Sequence, residues 1–293
     1  MILVTGATGL NGGVLVRLLS ARGVPVRALV RNAARAADLS SLPNVEVVEG
    51  DMARPDTLSE PLRGVDRAML ISSSDPAMLE VQSNFIDAAR KAGVKHVVKL
   101  SGIMPDVDSP FRFARMHGEA ERKLEKSGIA FTHLRAGEFM HAYFRQVPAI
   151  VARGAFFLPM EDARIASIDV TDIAEVAAKA LTEPGHEGKI YPLTGPDALS
   201  MAEVAEKLSA ATGKPIRYVS VAPDEARNAQ LAAGVPQYTA DALAELFAER
   251  RKGKESQVWP VIEEILGRRP TSFDEFARRN AAIFRGEQPA PRV

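Results

Sequence analysis

Residues 3–13 read LVTGATGLNGG. An apolar strand ends here, and Gly6, Gly9, Gly12 and Gly13 follow within eight positions. Glycine loses more backbone freedom on folding than any other residue. So dense a cluster is either an ordinary glycine-rich turn or a surface that another molecule approaches closely. The surrounding pattern favours the second. Short apolar or β-branched runs recur at 2–5, 25–30, 44–48, 66–72, 95–100 and 130–135, with helical periodicity between them, as in 14–23 and 78–93. Strand and helix in alternation predict a parallel sheet with helices on both faces and right-handed crossovers. Gly23, Gly93 and Gly128 stand where helices close on a left-handed residue.

In a doubly wound sheet, a glycine turn after the first strand exposes backbone N–H groups at a helix N-terminus. Those groups and the helix dipole favour a pyrophosphate. Gly6, Thr8, Gly9, Leu10, Asn11 and Gly12 are therefore the expected dinucleotide contacts. The spacing G-x-x-G-x-x-G resembles the fingerprint of the short-chain dehydrogenase/reductase superfamily. The second strand, VRALV, ends in Arg31 and Asn32, with Arg35 one turn on and no acid. A guanidinium holds a 2′-phosphate with two parallel bonds where a carboxylate repels it, so NADP(H) is favoured over NAD(H). The alternative is that Arg31 is merely a solvated strand-end residue. Asp51 and Met52 follow the third strand and are placed to meet the adenine. Ser72, Ser73 and Ser74 follow the fourth, near the ribose and pyrophosphate.

Short-chain reductases use a serine with a tyrosine and a lysine four apart on one helix face, the lysine lowering the tyrosine pKa. Here the fifth strand ends in KLSG, and Ser101 fits the serine position. Counting back from the SGI turn at 127–129, the lysine position falls on His117 and the tyrosine position on Phe113. Phenylalanine donates no proton, so the usual acid is absent. His117, with an ordinary pKa near neutrality, is the remaining candidate. It reads equally as a half-buried helix residue beside Phe113, Met116, Ala120 and Leu124, paired with Glu121 one turn on. Ser101 reads equally as a residue that satisfies strand-end backbone groups.

This combination resembles the NmrA-like, atypical short-chain family. The stretches VTGATG, LVRN, GVKHVVKLSG, HGEAERKLEKSGIAFTHLRAGEFM and DIAEVAAKALTEPGHEGKIYPLTGPDALSMAEVAEKLSAATGKPIRY carry the resemblance over nearly the whole chain. The family includes NAD(P)H-dependent quinone reductases, azo-dye and triphenylmethane-dye reductases, and NADP-sensing regulators. The chain looks most like the azoreductase and quinone-reductase members. The resemblance implies that the loop after the sixth strand covers the nicotinamide, with Gly137, Glu138 and Phe139 lining the cofactor and Met140, His141 and Tyr143 facing the substrate. Phe156, in GAFFLP, adds apolar wall for a flat aromatic substrate. Phe139, Met140 and Phe144 read alternatively as core, and for the aromatics alone the core reading is the favoured one.

Two functions remain open at this stage. One is an oxidoreductase passing hydride from NADPH to a quinone, azo compound or similar conjugated acceptor in a cleft under a C-terminal lobe. The other is a regulator that senses NADP(H) without catalysis. The predicted fold is a Rossmann-like doubly wound sheet (residues 1–195, with pocket segments from 137–160) and a smaller, mainly helical lobe (196–293). A strand at 163–168, a helix at 170–182 and a strand at 189–195 are assigned to the sheet, and Ser200 with Glu203 caps a further helix. The chain ends in a Pro-containing tail, predicted to fray.

Composition narrows the partners. Lys+Arg and Asp+Glu are both 37, and the five histidines lack metal-ligand spacing. No nucleic-acid partner and no metal are predicted, and the run ERRKGK (249–254) reads as a solvated helix end. There is no cysteine, which excludes disulfides and thiolate chemistry. No run is long and apolar enough for a bilayer, and the N-terminus lacks a basic segment, so a cytoplasmic protein with no membrane partner is expected. A homodimer is left open.

Overall fold

The computed structural model describes residues 1–291. Its elements begin β1 (Ile2–Val4), α1 (Leu10–Ala21), β2 (Val26–Val30), α2 (Ala37–Ser40), β3 (Val45–Glu49), β4 (Arg67–Leu70), α3 (Met78–Lys91), β5 (His96–Gly102), α4 (Arg112–Glu125) and β6 (Ala130–Ala136). They continue through α5 (Val147–Arg153), β7 (Ala155–Leu158), β8 (Arg164–Ile165), α6 (Val170–Thr182), β9 (Lys189–Leu193), β10 (Leu199–Ser200), α7 (Met201–Thr212) and β11 (Arg217–Ser220). Five helices close the described chain: α8 (Pro223–Ala232), α9 (Gln237–Arg251), α10 (Val261–Leu266), α11 (Phe273–Arg279) and α12 (Ala281–Phe284).

The chain forms two compact units. The first comprises 1–109, 113–136 and 170–192; the second takes 110–112, 137–169 and the residues from 193 onward. The sequence suggested one boundary after residue 195. Segment 137–169 instead packs with the second unit, because Met140, Phe144 and Phe156 belong to that unit's apolar core.

In the first unit the sheet order is β3-β2-β1-β4-β5-β6-β9, and β1 through β6 pair in parallel. The central strands are buried on both faces, as a parallel sheet requires: all of β1 is buried, as are Ala68, Met69 and Leu70 of β4. Leu3, Leu70 and Val97 pack under Phe85, Ile86 and Ala89 of α3 and Leu124 of α4. Helices α1 and α6 pack against each other, and α6 also against β4, β5 and β6. Gly23, Gly93 and Gly128 have φ of 72°, 76° and 83°, the left-handed closures expected after α1, α3 and α4.

The second unit has its own core. Tyr143 packs edge-on against Phe156 and Phe273, and Phe144 stacks on Phe276. Two small ribbons accompany it, β7 parallel to β11 and β8 antiparallel to β10. The strand expected at 163–168 is thus only Arg164–Ile165 and lies outside the large sheet. The neighbouring N–H groups of Ala166 and Ile168 go to the Glu255 and Glu138 carbonyls and are spent for sheet pairing. The run 249–254 is solvated only in part, at Lys252, Gly253 and Lys254. Arg250 is buried and ion-paired with Glu138 and Glu255, and buried Glu249 receives Lys252 and Lys254. Of the tail, 287–291 holds no helix or strand, and residues 292–293 lie outside the described residues. No described helix is long and apolar enough to cross a membrane.

Helix α7 starts with the reciprocal cap the sequence announced: Ser200 Oγ accepts from the Glu203 N–H, and Glu203 accepts from the Ser200 N–H. Ser200→Ala removes half of this box. It is expected to lower stability by about 1 kcal/mol, read as a fall in the thermal midpoint with unchanged far-UV circular dichroism.

Candidate functional site

The carboxyl ends of β1, β2, β4 and β5 bring the predicted residues of the first unit to one sheet edge. Thr5 joins two of those ends. Its hydroxyl donates to the Ile71 carbonyl and accepts the Ile71 N–H, both at 2.7 Å, so the turns after β1 and β4 leave the sheet from a fixed point.

The glycine turn is shaped by close approach. Gly6 adopts φ 60°, in the left-handed region. A Cβ on Gly12 would lie 2.2 Å from the Gly6 carbonyl oxygen, and one on Gly9 would lie 3.2 Å from it. The Gly9 N–H donates to Gly6 and the Gly13 N–H to Gly9. The N–H groups of Leu10, Asn11 and Gly12 meet no acceptor among the described residues, and Gly9, which caps α1, has no side chain to offer one. Asn11 Oδ1 is buried without a partner. Unpaired donors on a twelve-residue helix and an orphaned amide oxygen make a cradle that fits an anionic dinucleotide bridge.

Beyond β2, Arg31 and Arg35 are exposed, and neither guanidinium has an ion-pair partner among the described residues. Asn32 Oδ1 accepts from the Ala34 N–H and caps the short turn Ala33–Ala36. An acid that sequence reading missed stands nearby. Glu49, paired in register with Val30, accepts from the Ala33 N–H at 2.8 Å. Asp51 is more committed than expected: Oδ1 accepts from the Ala53 N–H, and the carboxylate lies 3.7 Å from Arg54. The Met52 carbonyl accepts from Asn84 of α3. Ser72 Oγ accepts from Gln82, while Ser73 and Ser74 are exposed.

The end of β5 carries the feature that the sequence reading passed over. Lys99 has a relative exposure of 0%. Its Nζ lies 3.1 Å from Ser101 Oγ and 3.1 Å from His117 Nδ1. Burial, with Arg135 adding to it against Glu121, pushes the ammonium down to about 7. Burial and then the Lys99 charge push His117 well below its ordinary value, so its imidazole is neutral. His117 Nε2 has no partner among the described residues. Glu121 does not pair with His117 as expected. It accepts from Arg135 Nε at both carboxylate oxygens and from Nη2 at Oε2. Burial raises the Glu121 carboxyl, but Arg135 and the surrounding hydrogen bonds and charges more than offset this and hold it low. Ser101, which meets Lys99 Nζ, is itself buried. Glu121, Glu125 and His133 form a group with metal-like spacing, but Arg135 already takes both Glu121 oxygens and His133 Nε2 faces Glu125 at 3.2 Å.

The second unit holds the other predicted residues. Met140, Tyr143 and Phe156 are buried in its core. Tyr143 bonds to Ser167 and faces Met201 Sδ, and burial raises its phenol to about 12. Each fills apolar space among Phe273, Phe276 and Leu208. His141 is half-buried, edge-on to Phe144 and Phe276, with Nδ1 unpartnered. Gly137 donates its N–H to the Leu193 carbonyl, the Glu138 carboxylate is taken by Arg250, and Phe139 bridges to Ile168.

Comparison with known proteins agrees with this architecture. Residues 1–277 match the NmrA-like family. An NAD(P)H azoreductase of Xenophilus azovorans is 41% identical, with 97% of this chain and 99% of that protein covered. The NADPH complex of the quinone oxidoreductase QOR2 from Escherichia coli superposes with a TM-score of 0.88 at 32% identity, covering 95% of this chain and 99% of the other. Triphenylmethane reductase of Citrobacter sp. with NADP(H) gives 0.84 at 29%, covering 96% and 100%. With a bare glycine turn, a seven-stranded doubly wound sheet and relatives matched end to end, the chain belongs to the NmrA-like family.

Proposed function

We propose that the chain is an NADPH-dependent oxidoreductase that reduces a conjugated small molecule such as a quinone or azo compound. One observation carries the reading. The bare N–H groups of the glycine turn and the unpartnered His117 Nε2 belong to one carboxyl edge of one sheet. The relatives named above as NAD(P)H azoreductase and NADPH-dependent quinone oxidoreductase support it.

When bound, the nicotinamide supplies a hydride. The chain does the rest. Leu10, Asn11 and Gly12 N–H groups receive the diphosphate. Arg31 and Arg35 offer guanidinium forks to a 2′-phosphate, and the Ala33 N–H holds the Glu49 carboxylate aside. Phe113 occupies the place where a proton-donating tyrosine stands in short-chain reductases. His117 therefore donates from Nε2. A neutral imidazole is a weak acid, which suits an acceptor whose conjugation spreads the charge left by hydride and is too weak for an isolated ketone.

Arg31→Ala is expected to weaken NADPH about 10- to 100-fold, the loss of a ~1.5–3 kcal/mol charged hydrogen bond, while NADH binding barely changes. Titration calorimetry with both coenzymes checks it; equal losses would overturn the choice of NADPH. Wild-type protein is expected to oxidise NADPH with menadione and methyl red and not with cyclohexanone. His117→Gln should lower kcat about 10²-fold or more at unchanged NADPH affinity. Tight NADP(H) binding with no turnover of any acceptor would make the chain a coenzyme sensor instead.

A further inference from the structure

The four residues Lys99-Leu100-Ser101-Gly102 close β5, and three of them bear on one imidazole. Lys99 Nζ meets His117 Nδ1 at 3.1 Å. Ser101 Oγ holds the same ammonium at 3.1 Å from the other side. Gly102 leaves room for the ring: a Cβ there would stand 3.2 Å from His117 Cδ2 and 3.8 Å from Nε2. In that contact Lys99 Nζ donates and the Ser101 hydroxyl oxygen accepts. Lys99 has no carboxylate of its own. The charges facing it are Glu121 on α4 and Arg135 on β6, already paired with each other, and His133 lies beside it in register on β6. The strand on its other side presents Leu70. A lysine with no exposure and no counter-ion in contact is costly to bury charged. Its placement behind a histidine with one open nitrogen gives that cost a use.

We propose that Lys99 is a positioning residue that fixes His117 as the Nε2–H tautomer and replaces the proton that Nε2 gives away. An Nζ–H donates to Nδ1, which leaves the ring its single proton on Nε2. In turnover the Nε2–H bond breaks and the proton joins the anionic oxygen or nitrogen left on the acceptor after hydride uptake. The electron pair stays on the ring. An Nζ–H bond of the Lys99 ammonium then breaks and an Nδ1–H bond forms. The products are a neutral amine and a neutral imidazole in the other tautomer. Solvent protonates Nε2 from the open side, and the Nδ1 proton returns to Lys99. The couple works while Lys99 is an ammonium, below about pH 7, and fades as pH rises through that value. The relay rests on the oxidoreductase reading above; the tautomer does not.

The tautomer is read directly by heteronuclear NMR of the imidazole nitrogens in the full chain without coenzyme, His117 being assigned with His117→Gln. The expected wild-type spectrum shows Nε2 protonated and Nδ1 bare at about pH 6–7, where Lys99 is still an ammonium and an unperturbed histidine titrates. An Nδ1–H ring, or an imidazolium in that window, overturns the proposal without any variant having to fold. Lys99→Met keeps the volume and removes the donor. In it, His117 is expected to lose its fixed tautomer and its pKa to rise toward the ordinary value, because the neighbouring cation is gone. An unchanged tautomer and titration overturns the lock. With NADPH and menadione, wild-type kcat is expected to fall as pH rises through about 7. Lys99→Met is expected to lack that limb and to lose on the order of tenfold in kcat at pH 6, part of what a positioned acid contributes, with KM for NADPH unmoved. Persistence of the limb in Lys99→Met overturns the relay. A wild type that turns over no acceptor sinks the oxidoreductase reading and the relay together, while the NMR result alone decides the lock.

Discussion

The contact between the Gly6 carbonyl and the Gly12 backbone sets where α1 begins, and the nucleotide edge follows from it. With 2.2 Å available for a Cβ at residue 12, no side chain fits, and the helix starts hard against the end of β1. That placement turns three backbone N–H groups outward with no acceptor, on the axis of the helix dipole. Thr5 holds the same corner from the inside by bonding both ways to Ile71.

A second constraint governs the neighbouring edge. Lys99 with Ser101 and His117, and Glu121 with Arg135, form two neighbouring hydrogen-bonded sets between β5, β6 and α4. Isolated, the Lys99 and Glu121 charges would each cost several kcal/mol to bury. Close to one another, the two opposite charges compensate in part. The lysine responds by titrating near neutrality, where an exposed lysine never would. Strand register decides this arrangement: Lys99 opposes His133 and Ser101 opposes Arg135, which brings the groups of β6 under α4.

In the second unit residue type alone leaves two readings. Methionine and aromatic residues after a sheet edge suggest a wall for a flat substrate, and the segment 140–156 has them in number. Yet Met140, Tyr143, Phe144 and Phe156 interlock with Phe273, Phe276 and Phe284, which lie more than a hundred residues later. Long-range partners claimed these rings, and nothing local distinguishes a ring that packs from a ring that binds. The same holds for Arg250, whose charged neighbours in sequence suggested solvent but whose actual partners are Glu138 and Glu255.

What was legible in the linear chain was whatever rests on neighbours in sequence. Glycine spacing, left-handed closures at Gly23, Gly93 and Gly128, the Ser200–Glu203 cap and the alternation of strand and helix are all of that kind. Each depends on φ, on a helical turn or on the chemistry of one side chain. Lys99 left only a faint trace, a charge inside the apolar run HVVKLSG, and the run was read as an ordinary strand. Its role appeared once β5 was laid beside β6 and beneath α4. Hydrogen-bond partners of a buried charge are chosen by packing across the sheet, and that choice is made at separations the order of residues does not encode.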